Sequence, residues 1–98
     1  MPEMTFDVQW PDGRVQQCYS PSLVMHDYLT SGSDYTVAEF LDRSTHALQE
    51  ASERVRAKFG FACTSAAATN EKIAETATRF APTATIRVVA MQPGLEDS

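Results

Sequence analysis

Positive charge is scarce in this chain of 98 residues, in which 8 Lys and Arg stand against 13 Asp and Glu. The formal net charge is −5 at pH 7, whereas binding of nucleic acid needs a basic surface for the phosphates. No apolar run approaches the roughly 20 residues of a membrane span, and the first residues lack the pattern of a signal peptide. We therefore expect a cytoplasmic protein that contacts neither nucleic acid nor membrane.

Cysteine is equally scarce, and its spacing argues against a metal site. Cys18 and Cys63 are the only two cysteines, with 44 residues between them, whereas zinc ligands usually come in closely spaced pairs. Without a signal peptide the two thiols are expected to stay reduced. The chain also lacks a glycine-rich phosphate loop, a paired-carboxylate site and a spacing that predicts a Ser-His-Asp set. No metal, cofactor or established catalytic residue is predicted.

What remains is the composition of an ordinary globular protein, and its first 20 residues predict a β-hairpin. The chain is 43% hydrophobic and 21% charged, which is typical of one soluble domain over residues 1–98. Residues 4–10 alternate strictly, with Met4, Phe6, Val8 and Trp10 on one side. The turn sequence PDG follows at 11–13, and residues 14–20 return as a second strand.

Two registers of this hairpin are possible, and they place Cys18 on opposite faces. A loop over residues 11–13 pairs Trp10 with Arg14 and Phe6 with Cys18, which puts Cys18 in the core. A loop over residues 12–13 pairs Phe6 with Tyr19 and turns Cys18 outward. Hydrophobic pairing favours the shorter loop, whereas the proline favours the longer one. We expect the longer loop, over residues 11–13.

The strongest signal is a long helix within residues 35–63. Thr36 is predicted as its N-cap and Glu39 as the partner in a capping box, while Gly60 is predicted to end the helix in a left-handed conformation. Apolar and small residues recur at helical spacing between them, which predicts a core-facing stripe of Val37, Phe40, Leu41, Ser44, Ala47, Leu48, Ala51, Val55 and Phe59.

The remaining segments complete an α+β fold. A second helix is predicted over about 65–81, ended by Pro82, and a last strand over 84–91 with Ile86, Val88 and Ala90 on one face. Residues 21–29 are predicted as a short helix or an extended segment, 30–34 as a loop, and 92–98 as a flexible tail. The architecture is β-β-α-α-β: a three-stranded, mainly antiparallel sheet with the first strand central, covered on one face by a two-helix hairpin.

Cys63 is the best chemical candidate, because a thiol at the N-terminus of the second helix would have a lowered pKa. The simpler interpretation is a small buried hydrophobe between two helices. Cys18 is a weaker candidate that the fold could bring near Cys63. His46 lies in a charged stripe of the long helix whose acid–base pairs at i,i+4 favour a solvated face over a docking surface. Trp10, Tyr19 and Tyr28 are a candidate exposed aromatic patch.

Two motifs resemble a known family. CYSPS at 18–22, and ASERVR at 51–56 followed by FGFAC at 59–63, together with WPDG at 10–13, resemble small bacterial proteins labelled nitrogen starvation response proteins, over residues 4–81. The resemblance implies a gene neighbourhood with a nitrilase, a radical-SAM protein and a flavin-dependent oxidoreductase, associated with obtaining nitrogen from nitriles or cyanide. It implies no assigned reaction and no catalytic residue.

Three functions follow as hypotheses. The first is a non-catalytic accessory protein that binds a protein partner or itself during nitrogen starvation. The second is a thiol-dependent enzyme or sulfur carrier that uses Cys63, with or without Cys18. The third is a small-molecule sensor that uses an aromatic sheet face.

Overall fold

The computed structural model describes residues 3–60 and 64–92 and has an α+β fold with a four-stranded antiparallel sheet. The sheet order is β2-β1-β4-β3, so the first strand is internal, as predicted. The elements in chain order are β1 (Met4–Gln9), β2 (Val15–Ser20), α1 (Met25–Tyr28), β3 (Asp34–Thr36), α2 (Val37–Phe59), α3 (Thr64–Ala77) and β4 (Thr85–Gln92). None of the described helices is both long and apolar enough to cross a membrane.

The hairpin takes the register of the longer loop. The Trp10 N–H donates to the Arg14 carbonyl at 2.8 Å, and the Gly13 N–H donates to the Trp10 carbonyl at 2.8 Å. Gly13 has φ +90, a left-handed conformation that costs a residue with a Cβ about 1–2 kcal/mol. Phe6 consequently lies opposite Cys18, and both are buried. The prediction that Cys18 lies on the core face is confirmed.

The predicted count of three strands is wrong, because β3 forms from the last residue of the expected loop, Asp34, and from Tyr35 and Thr36 at the predicted start of the long helix. Asp34, Tyr35 and Thr36 pair with Arg87, Ile86 and Thr85 of β4. A strand of 3 residues with only its middle residue partly buried has no recognisable alternation of its own. Pairing with β4 stabilises it, and such long-range pairing cannot be read from local sequence.

A bulge in β4 changes which of its side chains reach the core. Asp7 pairs with Ala90 but Val8 pairs with Val88, so Val89 is the extra residue. Alternation beyond the bulge is shifted by one residue: Met91 is buried at 5% exposure, while Ala90 is only half-buried. The predicted place of Ala90 on the core face is therefore taken by Met91.

Both predicted ends of α2 are confirmed. The Thr36 hydroxyl accepts from the Glu39 N–H at 3.1 Å, and Gly60 has φ 80 with its N–H bound to the Arg56 carbonyl. The predicted stripe is buried from Val37 to Val55, with Leu41 partly buried. Phe59 is the exception at 50% exposure, so the buried part of the predicted stripe ends at Val55.

The second helix, α3, packs against α2 and the sheet and ends earlier than predicted. Its last residue is Ala77, and turns carry the chain through residues 78–84. Ala66, Thr69, Ile73 and Ala77 are buried, and small side chains on both helices let the backbones approach closely. Phe80 lies beyond the helix but still packs against the core.

Residues 21–29 contain the short extra element that the sequence leaves open. It is the helix α1, which begins after Val24 rather than at Pro21. Met25 and Leu29 are buried beside α2 at 0% and 1% exposure. These two apolar anchors, rather than helix propensity, hold so short a helix in place.

Candidate functional site

Cys18 is a core residue with no access for a reagent. Its side chain is 3% exposed, and Sγ lies 3.9 Å from the Gln16 carbonyl oxygen. Burial, and then the negative charge of Asp7, raise the pKa of the thiol to about 12, against a smaller opposite effect of Lys72. The neutral thiol is thus the stable form, which does not favour a nucleophile. Cys63 lies outside the described residues, so its predicted reactivity stays a prediction.

Stability above pH 8 should report the buried thiol. The folded-state pKa of Cys18 is about 12, above the roughly 8.5 of an unperturbed thiol, so the folded state retains a proton that the unfolded state releases. The stability that the protonated thiol contributes to the folded state is fully present below pH about 8.5, and it is lost as the pH rises towards the folded-state pKa. We expect urea unfolding at several pH values between 8 and 11 to show that the free energy of unfolding falls more steeply with pH for the wild type than for Cys18→Ala. Parallel declines would contradict the buried-thiol assignment.

The predicted exposed aromatic patch is wrong. Trp10 is 3% exposed, with its ring stacked on Phe80 at 5.7 Å and edge-on to Phe40 at 5.8 Å. Tyr19 alternates with Cys18 on β2 and so faces the opposite side of the sheet, while Tyr28 packs partly buried against the core from α1. Because Trp10 is buried and Tyr19 faces the other side of the sheet, the three rings do not form one exposed patch, and the sensor hypothesis loses its predicted location.

A small cleft of about 240 Å³ lies where α3 and the turns after it meet the hairpin. Trp10 and Phe80 supply apolar lining, and Arg14 and Arg79 supply positive charge; the other lining residues are Asp12, Val15, Gln16 and Thr76. The guanidinium groups each have an acidic neighbour, 3.6 Å away for Arg14 and 4.0 Å for Arg79. The cleft therefore forms a surface of mixed charge beside the start of β2.

The charged stripe of α2 is a solvated face with one structural role. Ion pairs at i,i+4 join Glu39 to Arg43 at 3.0 Å, Asp42 to His46 at 3.5 Å and Glu50 to Arg54 at 3.9 Å. Exposed pairs of this kind contribute little to stability.

Arg43 does more than pair with Glu39, because it also donates to the Tyr28 carbonyl at 3.0 Å. Its guanidinium lies 5.2 Å from the centre of the Tyr35 ring. It thereby fixes α1 and β3 against the start of α2. His26, in α1, is half-buried.

The sheet face opposite the helices is polar and accessible. Gln9, Gln17, Thr36 and Arg87 on this face are exposed, and Thr5 and Asp7 are half-buried. Arg87 donates to Asp34 across β4 and β3, with Nε 2.7 Å from Oδ1. This hydrogen bond lowers the pKa of the Asp34 carboxyl and raises that of Arg87.

Strand β2 is one of the two edge strands of this sheet and comes first in the sheet order. Its sequence VQQCYS contains no charge and no proline, and Val15 is 57% exposed. Natural edge strands are usually kept from pairing by charges, prolines, bulges or short length. Strand β2 has 6 residues and pairs in regular register with β1. Strand β2 therefore lacks the charges, prolines and bulges that usually keep an edge strand from pairing with another chain.

Sequence reasoning places β1 centrally but does not draw the consequence that β2 is then an edge. The missed signal is local: two predicted strands are joined by a tight turn, and the second carries no charge after Arg14 at its start. The cleft residues Arg79 and Phe80 could not be found in this way, because the turns after α3 bring them to the hairpin. Within residues 3–60 and 64–92, no group of three or more His, Cys, Asp or Glu side chains could hold a metal.

One comparison with known proteins identifies a relationship. A family model described as "Nitrogen starvation-induced protein NitG" matches residues 5–91, which include all of the described elements except Met4 and Gln92 at the outer ends of β1 and β4. Comparison with curated proteins and with solved structures found no match.

Proposed function

Since this chain belongs to the NitG family of nitrogen starvation-induced proteins, we propose that it is a non-catalytic accessory protein that works by binding another protein chain through the edge of its sheet. The observation that carries the proposal is the edge strand β2, which has 6 residues and no charged side chain. A protein strand can add to such an edge through backbone hydrogen bonds, with side chains supplying specificity.

The surroundings of β2 support this role. The polar sheet face lies on one side of the strand, and the cleft lined by Arg14 and Arg79 lies at its start. A partner strand on this edge would thus meet the backbone groups of β2 and, in the cleft, positively and negatively charged side chains. The proposal places the protein in the cytoplasm, with the products of a nitrilase-containing gene cluster as candidate partners and the use of nitrile or cyanide nitrogen as the process served.

A substitution at the edge tests the proposal in cells. Val15→Glu places a charge on the edge, while Gln9→Glu places the same charge on the same sheet face in the internal strand β1. We expect the tagged wild-type protein from nitrogen-starved cells to elute in size-exclusion chromatography as an assembly larger than the monomer of 10.8 kDa. Val15→Glu should elute as the monomer and Gln9→Glu as the assembly.

Two results would overturn this proposal. The first is a wild-type protein that elutes as a monomer from starved cells. The second is an assembly that Val15→Glu leaves intact, because a charge on an edge strand opposes the binding of another strand there. Thermal unfolding of both purified variants provides the folding control.

A further inference from the structure

The register of the hairpin decides which residues of β2 exchange backbone hydrogen bonds with β1. The Trp10 N–H donates to the Arg14 carbonyl, and hydrogen-bonded pairs alternate along an antiparallel ladder. Gln16, Cys18 and Ser20 therefore exchange hydrogen bonds with β1 at Val8, Phe6 and Met4. The N–H and C=O groups of Val15, Gln17 and Tyr19 point away from β1, along the edge.

The two edges of the sheet differ in how they are protected. Strand β3 has only 3 residues and carries the ion pair of Asp34 with Arg87 on β4. Strand β2 has neither protection: it is twice as long and contains no charged side chain. An added strand is therefore expected on β2 and not on β3.

We propose that the strand that adds to β2 is the β2 of a second copy of this chain, antiparallel and related by a two-fold axis at Gln17. This inference rests on the proposed function, because it assigns a partner to the same edge. In this register each outward-pointing residue of one copy meets an outward-pointing residue of the other, and Gln17 lies opposite itself. The two sheets then continue into one.

The side chains of this register are self-complementary. Val15 of each copy lies opposite Tyr19 of the other on the polar sheet face, and a β-branched residue beside an aromatic one is a favourable cross-strand pair. The Tyr19 hydroxyl bonds to Glu3 at 2.9 Å within its own copy, which orients the ring on this face. The strand itself adds no like-charge contact, although each chain carries a net charge of −5.

That net charge gives the self-association a characteristic salt dependence. Two chains of like charge repel each other, and salt screens this repulsion. The backbone hydrogen bonds of the edge depend little on the salt concentration. Dimerisation should strengthen as the salt concentration rises. A basic partner protein on the same edge would show the opposite trend.

Disulfide trapping tests the register. Opposed residues in a hydrogen-bonded antiparallel pair have Cα atoms about 5.5 Å apart, which a disulfide spans. We expect Gln17→Cys to form a covalent dimer under mild oxidation, seen on a non-reducing gel. Gln9→Cys, exposed on the same sheet face but in β1, should form no covalent dimer on the gel, and neither should the wild type.

A second variant removes the interaction without adding a thiol. Gln17→Pro deletes an N–H that points away from β1, so the β1–β2 ladder keeps its bonds. Sedimentation of the purified full chain over a range of concentrations should show a monomer–dimer equilibrium for the wild type and a monomer for Gln17→Pro, with similar circular dichroism. A monomeric wild type, or Gln17→Cys that cross-links no faster than Gln9→Cys, would overturn the dimer. If Val15→Glu still dissolves the cellular assembly in that case, the proposed function stands with a different partner.

Discussion

Trp10→Ala should lower the free energy of unfolding by about 3–5 kcal/mol, the largest loss that we expect from a single substitution. Trp10 is 3% exposed and is the only tryptophan in the chain. Its ring stacks on Phe80 and meets Phe40 edge-on, so one side chain joins the end of β1, the helix α2 and the turns after α3. A loss of this size is a large part of the roughly 5–15 kcal/mol that stabilises a protein of this kind.

Trp10→Phe separates the packing from the polar contact of the indole. The Trp10 Nε1–H donates to the Gln16 Oε1 at 2.9 Å, a partly buried hydrogen bond with a net contribution of about 1 kcal/mol. Phenylalanine keeps an aromatic ring beside Phe80 and Phe40, so its loss should be clearly smaller than that of alanine. Urea unfolding followed by circular dichroism measures the free energy of unfolding of both variants. Fluorescence does not serve here, because both substitutions remove the only tryptophan. Equal losses would show that the aromatic packing contributes little.

Phe6→Ala should be the second most destabilising change, at about 3–5 kcal/mol. Phe6 has 0% exposure and lies in the internal strand, opposite Cys18 on one side and Met91 on the other. Its removal leaves a cavity in the layer between sheet and helices, where close-packed neighbours cannot fully collapse.

Phe59→Ala is the matched control, because the same atoms are removed from a residue that is 50% exposed. Its effect should be far smaller, since substitutions at exposed positions usually stay within about 0.5 kcal/mol. Phe59 also belongs to the core-facing stripe predicted from the sequence, so a small loss would show that the buried part of that stripe ends before Phe59. Similar losses at Phe6 and Phe59 would contradict the burial described here.

Local sequence signals predicted the elements whose causes are local. Helix α2 begins after Thr36 and ends before Gly60. The Thr36 side-chain oxygen caps the first turn, and the left-handed conformation of Gly60 ends the last one. The Pro-Asp-Gly turn set the hairpin register, and with it the burial of Cys18, for the same reason. These features need no information from distant parts of the chain.

The candidate site was only partly predictable. The central place of β1 and a second strand without charge after Arg14 were both predicted from the sequence, and together they indicate an edge strand. The availability of Val15 and Gln17 to a partner depends also on what covers that edge, which the tertiary structure decides. The cleft depends on Arg79 and Phe80 meeting the hairpin across most of the chain length.

By itself the sequence determined the α+β class, the capped helix, the hairpin register and the membership of the NitG family. Only the tertiary structure decided that β3 joins the sheet, that the bulge at Val89 turns Met91 inward, and that Trp10 is buried away from Tyr19. The physical reason is range: caps and turns are set by residues a few positions apart, whereas strand pairing and burial depend on contacts between distant segments.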